Sequence, residues 1–235
     1  MNHFVFNLAL AVIPVVLAIT LHEAAHGYAA LALGDTTARD AGRLSLNPIR
    51  HIDRVGTIIL PGILLISQLL TIHRVAFMFG WAKPVPIGAW KFRDPRRGMA
   101  LVASAGPLMN FFLAWLAALV IPLTDFPTPT QDVIQQFLLY FMLSNIVLGL
   151  FNLLPIPPLD GGRIAVGLLP LKLAKIWARL EKAGILVVIL VVFILPRLIG
   201  FDPVGQALGQ VLPWAFRTLF WLAGRDTNGF DGSLI

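Results

Sequence analysis

The sequence predicts an all-α integral membrane protein, a polytopic bundle of helices, and three observations carry that reading. Only 13% of the 235 residues are charged, where an ordinary soluble domain has about 25%, and mean hydropathy is +0.81. Several windows of 18 or more residues hold no charge, enough as helix to cross the hydrocarbon layer. Basic residues are also uneven between the apolar windows: four in 35–54, six in 74–97 and five in 161–182, but none in 123–132. By the positive-inside tendency the three basic loops belong on the cytoplasmic side of a cell membrane. The net charge of +6 is therefore a loop bias, and no nucleic-acid partner is expected.

In chain order, residues 4–33 read as one long helix with a kink at Pro14 and a stop at Gly34-Asp35. No Lys or Arg precedes this first apolar run, so it is expected to be kept rather than removed as a signal peptide. The polar stretch 35–54 carries Arg39, Arg43, Arg50, His51, Asp53 and Arg54. Residues 55–72 are uncharged and apolar, broken at Pro61-Gly62, a second short apolar run covers 75–82, and the segment 55–79 has basic stretches on both flanks. A segment that dips in and returns, as a re-entrant hairpin or short strands through 87, satisfies the charge bias; a plain additional span is the alternative. Residues 98–122 and 133–162 complete a three-helix core with the first helix. The second of these cannot stay helical through Pro155, Pro157 and Pro158. Residues 163–182 mix apolar positions with Arg163, Lys172, Lys175, Arg179 and Lys182, the pattern of an amphipathic helix at a membrane surface. A further span is expected at 183–201, and 203–224 is either a span or an interfacial helix.

The chemistry concentrates in His22-Glu23-Ala24-Ala25-His26. Side chains four apart on a helix share a face, so His22 and His26 can grip one metal ion. Glu23 lies on the flank of that pair, where it can take a proton from a water activated by the metal without becoming a ligand. The chain has no cysteine, so any metal is held by His, Asp or Glu. A catalytic zinc takes three protein ligands, and the third candidate is Asp160: it ends an apolar segment, in backbone unwound by prolines and followed by Gly161-Gly162. The competing reading of Asp160 is a helix cap for residue 163 onward.

Three stretches together, His22 to His26, Gly106-Pro107-Leu108-Met109-Asn110, and Asn152 through Gly162, resemble the signature elements of the site-2 proteases, zinc intramembrane endopeptidases. The resemblance is to the compact branch, without a PDZ insertion or a regulatory nucleotide-binding domain. It implies one Zn2+ per chain on His22, His26 and Asp160, Glu23 as general base, and transmembrane proteins as substrates, cleaved within the lipid bilayer. Developing oxyanion charge needs preplaced donors. Asn152 is the first candidate and Asn110 the second, each with interhelical hydrogen bonding as its alternative. Asn145 is marked by depth alone. His51 and Asp53 either steady a ligand, bind substrate, or only pair with Arg50 or Arg54. The strand-prone pieces 75–79 and 85–87 are candidates to pair with an extended substrate. A membrane metal transporter or carrier could use the same His and Asp residues without needing a base, and a silent scaffold would show no metal dependence. Oligomeric state is not encoded in any of these features.

Overall fold

The computed structural model describes residues 2–71, 73, 80–121 and 129–224. Among these residues the regular structure is all helix, without a strand. Among the described residues, three helices are each long and apolar enough to cross a membrane: Leu8–Ala32 within α1 (Asn2–Ala32), α4 (Pro95–Val120), and Val133–Leu153 within α5 (Pro129–Leu153). Their boundaries follow from local chemistry. Gly34 ends α1 in the left-handed region at φ +94°, which glycine adopts without a Cβ penalty. Asp94 caps α4 by accepting from the N–H groups of Arg96 and Arg97, with Pro95 in the first helical position where its missing donor does no harm.

Helix α4 is the hub, packed against α1, α5 and α6 (Asp160–Leu168). Small residues let the backbones approach, as helices in lipid require. Ala114, Ala117 and Ala118 of α4 meet Met142 and Ile146 of α5 and Ala215, Phe216 and Leu219 of α10 (Pro203–Leu222). Gly167 of α6 sits so close to Ala100 of α4 that any Cβ there would overlap it.

Between α1 and α4 the chain forms α2 (Thr37–Asp40), a 3-10 turn at Pro48–His51, a π turn at Arg54–Ile59 and α3 (Leu60–Thr71). The segment expected as a hairpin or short strands thus begins as helix. Its return is nevertheless fixed: the N–H of Trp81 donates to Gly56 O and that of Lys83 to His51 O, so the chain comes back to where it left. Residues 80–88 then run without helix or strand, with Trp81 lying over Gly56, where a Cβ would strike the indole. The strand expectation for 75–79 falls outside the described residues, as does most of the 123–132 connector.

Helix α5 stops at Leu153 and α6 starts anew at Asp160. The core segment expected over 133–162 is thus two helices joined by a proline turn. Gly161 and Gly162 both lie within α6, so they do not serve unusual φ as expected. They serve close approach: a Cβ on Gly161 would overlap the carbonyls of Leu153 and Leu154, and one on Gly162 would meet Pro157 N at 2.7 Å. Helix α7 (Leu171–Leu180) follows, then an apolar helical run from α8 (Gly184–Ile189) through a π turn at Leu190–Ile194 to α9 (Leu195–Ile199). The 171–183 and 186–199 pieces are bent by 92°.

Candidate metal centre

His22 and His26 of α1 face α4, and α4 answers with a four-residue register of its own. Val102, Gly106 and Asn110 lie one turn apart on one face. The ring nitrogen His26 Nδ1 is 2.8 Å from Val102 O, and His22 Nδ1 is 2.6 Å from Asn110 Oδ1. Gly106 lies between them with no room to spare: an added Cβ would meet His22 Cε1 and His26 Nε2 at 2.5 Å and His22 Nε2 at 2.6 Å. Only glycine at 106 lets both imidazoles occupy this space.

The protonation of the rings follows from a directional chain. Phe141 O can only accept, so Asn145 donates to it through Nδ2; Asn145 Oδ1 then accepts from Asn110 Nδ2 at 2.8 Å, which turns Asn110 Oδ1 toward His22. Facing an acceptor, His22 Nδ1 carries the proton, and His26 Nδ1 does the same against the Val102 carbonyl. Neutral imidazole has one N–H, so both Nε2 atoms present bare lone pairs.

Those two lone pairs meet each other and a carboxylate. His22 Nε2 is 3.0 Å from His26 Nε2, and Asp160 Oδ2 is 3.0 Å from the first and 3.2 Å from the second. All three residues are at least nine-tenths buried, and Asp160 Oδ2 has no hydrogen-bond donor. Three acceptors in mutual contact repel unless a cation lies among them. Zinc with ligands at about 2.0–2.1 Å in tetrahedral array has ligand atoms roughly 3.3 Å apart, close to this triangle. The donor set therefore fits zinc. Asp160 is the first residue of α6, with Leu159 in the N-cap position before it.

Glu23 is half-buried on the flank, and its Oε2 accepts from the Val85 N–H at 3.0 Å. That N–H belongs to the irregular strap 80–88. The strap is tied down by groups that carried no assignment in the sequence. Buried Asp35 accepts from Gly88 N–H at 2.6 Å, from Thr37 N–H at 2.9 Å and from the Thr37 hydroxyl, with Lys91 Nζ 3.3 Å away. Burial alone would raise the Asp35 carboxyl, but the Thr37, Gly88 and Lys91 donors outweigh it and hold it at about 2. Arg43 adds donations to Arg50 O and, at 2.8 Å, to Lys83 O.

The remaining sequence candidates are spread over the same region. Asn110 is fully buried, and its amide hydrogens go to Asn145 Oδ1 and, at 3.4 Å, to Ala18 O. Asn152 donates to Leu148 O at 3.1 Å within its own helix. His51 is buried, with Nε2 2.8 Å from Ser45 O, and Asp53 caps the 54–59 turn by accepting from Val55 and Gly56 N–H. Asn145, marked only by depth in the sequence, proves to be the residue that fixes the Asn110 amide.

Comparison with known proteins places the chain among zinc metalloproteases. The pattern of the family described as Peptidase family M50 matches residues 124–195. YwhC of Bacillus subtilis (strain 168) is 37% identical over 221 residues, covering 92% of this chain and 87% of its own length. Rip2 of Mycobacterium tuberculosis is 29% identical over 205 residues, 86% of this chain and 68% of that protein. MJ0392 of Methanocaldococcus jannaschii is 34% identical over 115 residues, 45% of this chain and 32% of that one. Each carries "zinc metalloprotease" in its name. No solved structure matches the chain.

Proposed function

Because this chain belongs to peptidase family M50 and is a zinc metalloprotease, we propose that it is an intramembrane endopeptidase, hydrolysing peptide bonds within or near the transmembrane segments of other proteins. The observation that carries the reading is the buried triangle of His22, His26 and Asp160, placed on α1 and α6 against α4. Two of its three elements meet within helices long and apolar enough to cross a bilayer. Charged and metal-ligating groups at such depth are costly unless they are used.

One zinc ion per chain would be held by His22, His26 and Asp160, and it would supply Lewis acidity to the attacking water and the scissile carbonyl. The protein does the rest. Glu23 takes a proton from the attacking water and returns it to the leaving amide nitrogen. Val85 N–H, by holding Oε2, aims the other carboxylate oxygen. Asn110 keeps His22 in the tautomer that offers Nε2; with both amide hydrogens engaged, it acts as a positioning residue rather than an oxyanion donor. Asn152 keeps one amide hydrogen for the oxyanion while the other goes to Leu148 O. The positive-inside tendency of the basic loops 35–54, 74–97 and 161–182 supports a centre toward the cytoplasmic face.

The test is Glu23→Gln assayed on single-span peptides in detergent. Zinc content is expected to stay that of the parent while turnover falls by about 10²–10⁴-fold. Undiminished function in Glu23→Gln would instead favour a metal carrier built on the same ligands.

A further inference from the structure

Outside the metal centre, the most unusual surface is that of α7. At 3.6 residues per turn, Lys172, Lys175 and Arg179 fall within one narrow stripe of α7, Lys182 follows in the 3-10 turn Glu181–Ala183, and all four are exposed. Beside that stripe run Leu173, Ile176 and Leu180, at 50%, 54% and 38% exposure, apolar side chains with no protein over them. The opposite side is anchored: Ala174 is buried, and Trp177 Nε1 donates to Pro155 O at 3.0 Å. Glu181 is the only acid between 161 and 201, and Arg163 engages it through Nε at 3.0 Å and Nη2 at 2.8 Å, so it does not neutralise the basic row. The 92° bend after residue 183 supplies the orientation. If the apolar run 186–199 enters the membrane, 171–183 runs along its surface.

We propose that α7 lies in the membrane interface and that Lys172, Lys175, Arg179 and Lys182 bind the headgroups of anionic phospholipids. Leu173, Ile176 and Leu180 enter the acyl boundary while the bases reach the phosphates, the arrangement that gives an interfacial helix its preference for acidic leaflets. The proposal does not depend on proteolysis, and its test needs no turnover.

The full chain is reconstituted in nanodiscs of equal phosphatidylglycerol and phosphatidylcholine, stripped stepwise with detergent, and the retained lipid is counted by mass spectrometry. The parent is expected to retain phosphatidylglycerol over phosphatidylcholine by about fivefold, less as salt rises from about 0.05 M to about 0.5 M. Replacing the four bases by Gln removes the preference; replacing the three lysines by Arg keeps it. Equal retention of the two lipids by the parent, or an unchanged preference in the Gln variant, overturns the proposal. Should the fourfold variant not fold, Lys175→Gln with Arg179→Gln must at least halve the preference, and failure to do so overturns it equally.

Discussion

The metal cage and the strap that crosses beside it are built by opposite means. The cage is made of side chains: two imidazoles and a carboxylate, aimed by the amides of Asn110 and Asn145 and admitted by the missing Cβ of Gly106. The strap is made of main chain, its N–H groups at Trp81, Lys83, Val85 and Gly88 each given to a partner on another segment. A cage of this kind tolerates no change of atom, because each ligand position is used. A strap of this kind tolerates side-chain change and responds to loss of a backbone donor or of its few buried acceptors.

Substitutions should separate the two. The largest effect is expected at Gly106→Ala. Its methyl would overlap both imidazoles, so zinc measured on the purified protein falls far below one per chain and hydrolysis drops by ~10³-fold or more, the loss of several kcal/mol of metal-assisted stabilisation. Asn110→Ala leaves the ligands in place but frees the His22 ring. Zinc affinity, read by competition with a chelator, should weaken by about 10–100-fold.

The strap changes act on rate with metal intact. Val85→Pro removes the N–H that Glu23 accepts, in a stretch where Pro84 and Pro86 already impose extended backbone. A lost hydrogen bond to a carboxylate predicts about a tenfold lower kcat at unchanged zinc content. Asp35→Asn is the mildest, about threefold in kcat, together with faster hydrogen exchange at the Gly88 amide. The pH response carries a sign. The Asp35 carboxyl is depressed in the fold, so its contribution is present above the ordinary carboxylate value of 3.8 and is lost as pH falls through about 2. Protection of the Gly88 amide in the parent should fall over that window and not in Asp35→Asn.

The same division explains what the sequence disclosed. His22, Glu23, His26 and Asp160 were legible because metal chemistry needs particular atoms at particular spacings, and the spans because apolar length is written directly in composition. Gly106 was legible only within a resemblance; its reason, a Cβ overlapping two rings 80 and 84 residues away in sequence, is three-dimensional. Gly161 and Gly162 were noticed for the wrong property, conformational freedom rather than thinness. Asp35 read as the end of a helix, because nothing local marks an acid that will accept from Gly88, 53 residues on. Residues 55–79 read, from charge counting, as a segment that dips in and returns; in the structure the Trp81 N–H donates to Gly56 O, so the chain passes back beside its start. The helical form of 54–71 was hidden by Pro61-Gly62, which lies inside a helix running on from the π turn at Arg54–Ile59 into α3.

The most direct measurement of the central claim is zinc X-ray absorption on the purified chain, paired with metal counting, in the parent and in Asp160→Ala. One zinc per chain is expected, with two imidazole nitrogens, one carboxylate oxygen and one further light atom at about 2.0–2.1 Å, and loss of that spectrum in Asp160→Ala. A parent spectrum lacking paired imidazoles, or one that Asp160→Ala leaves unchanged, would contradict the account.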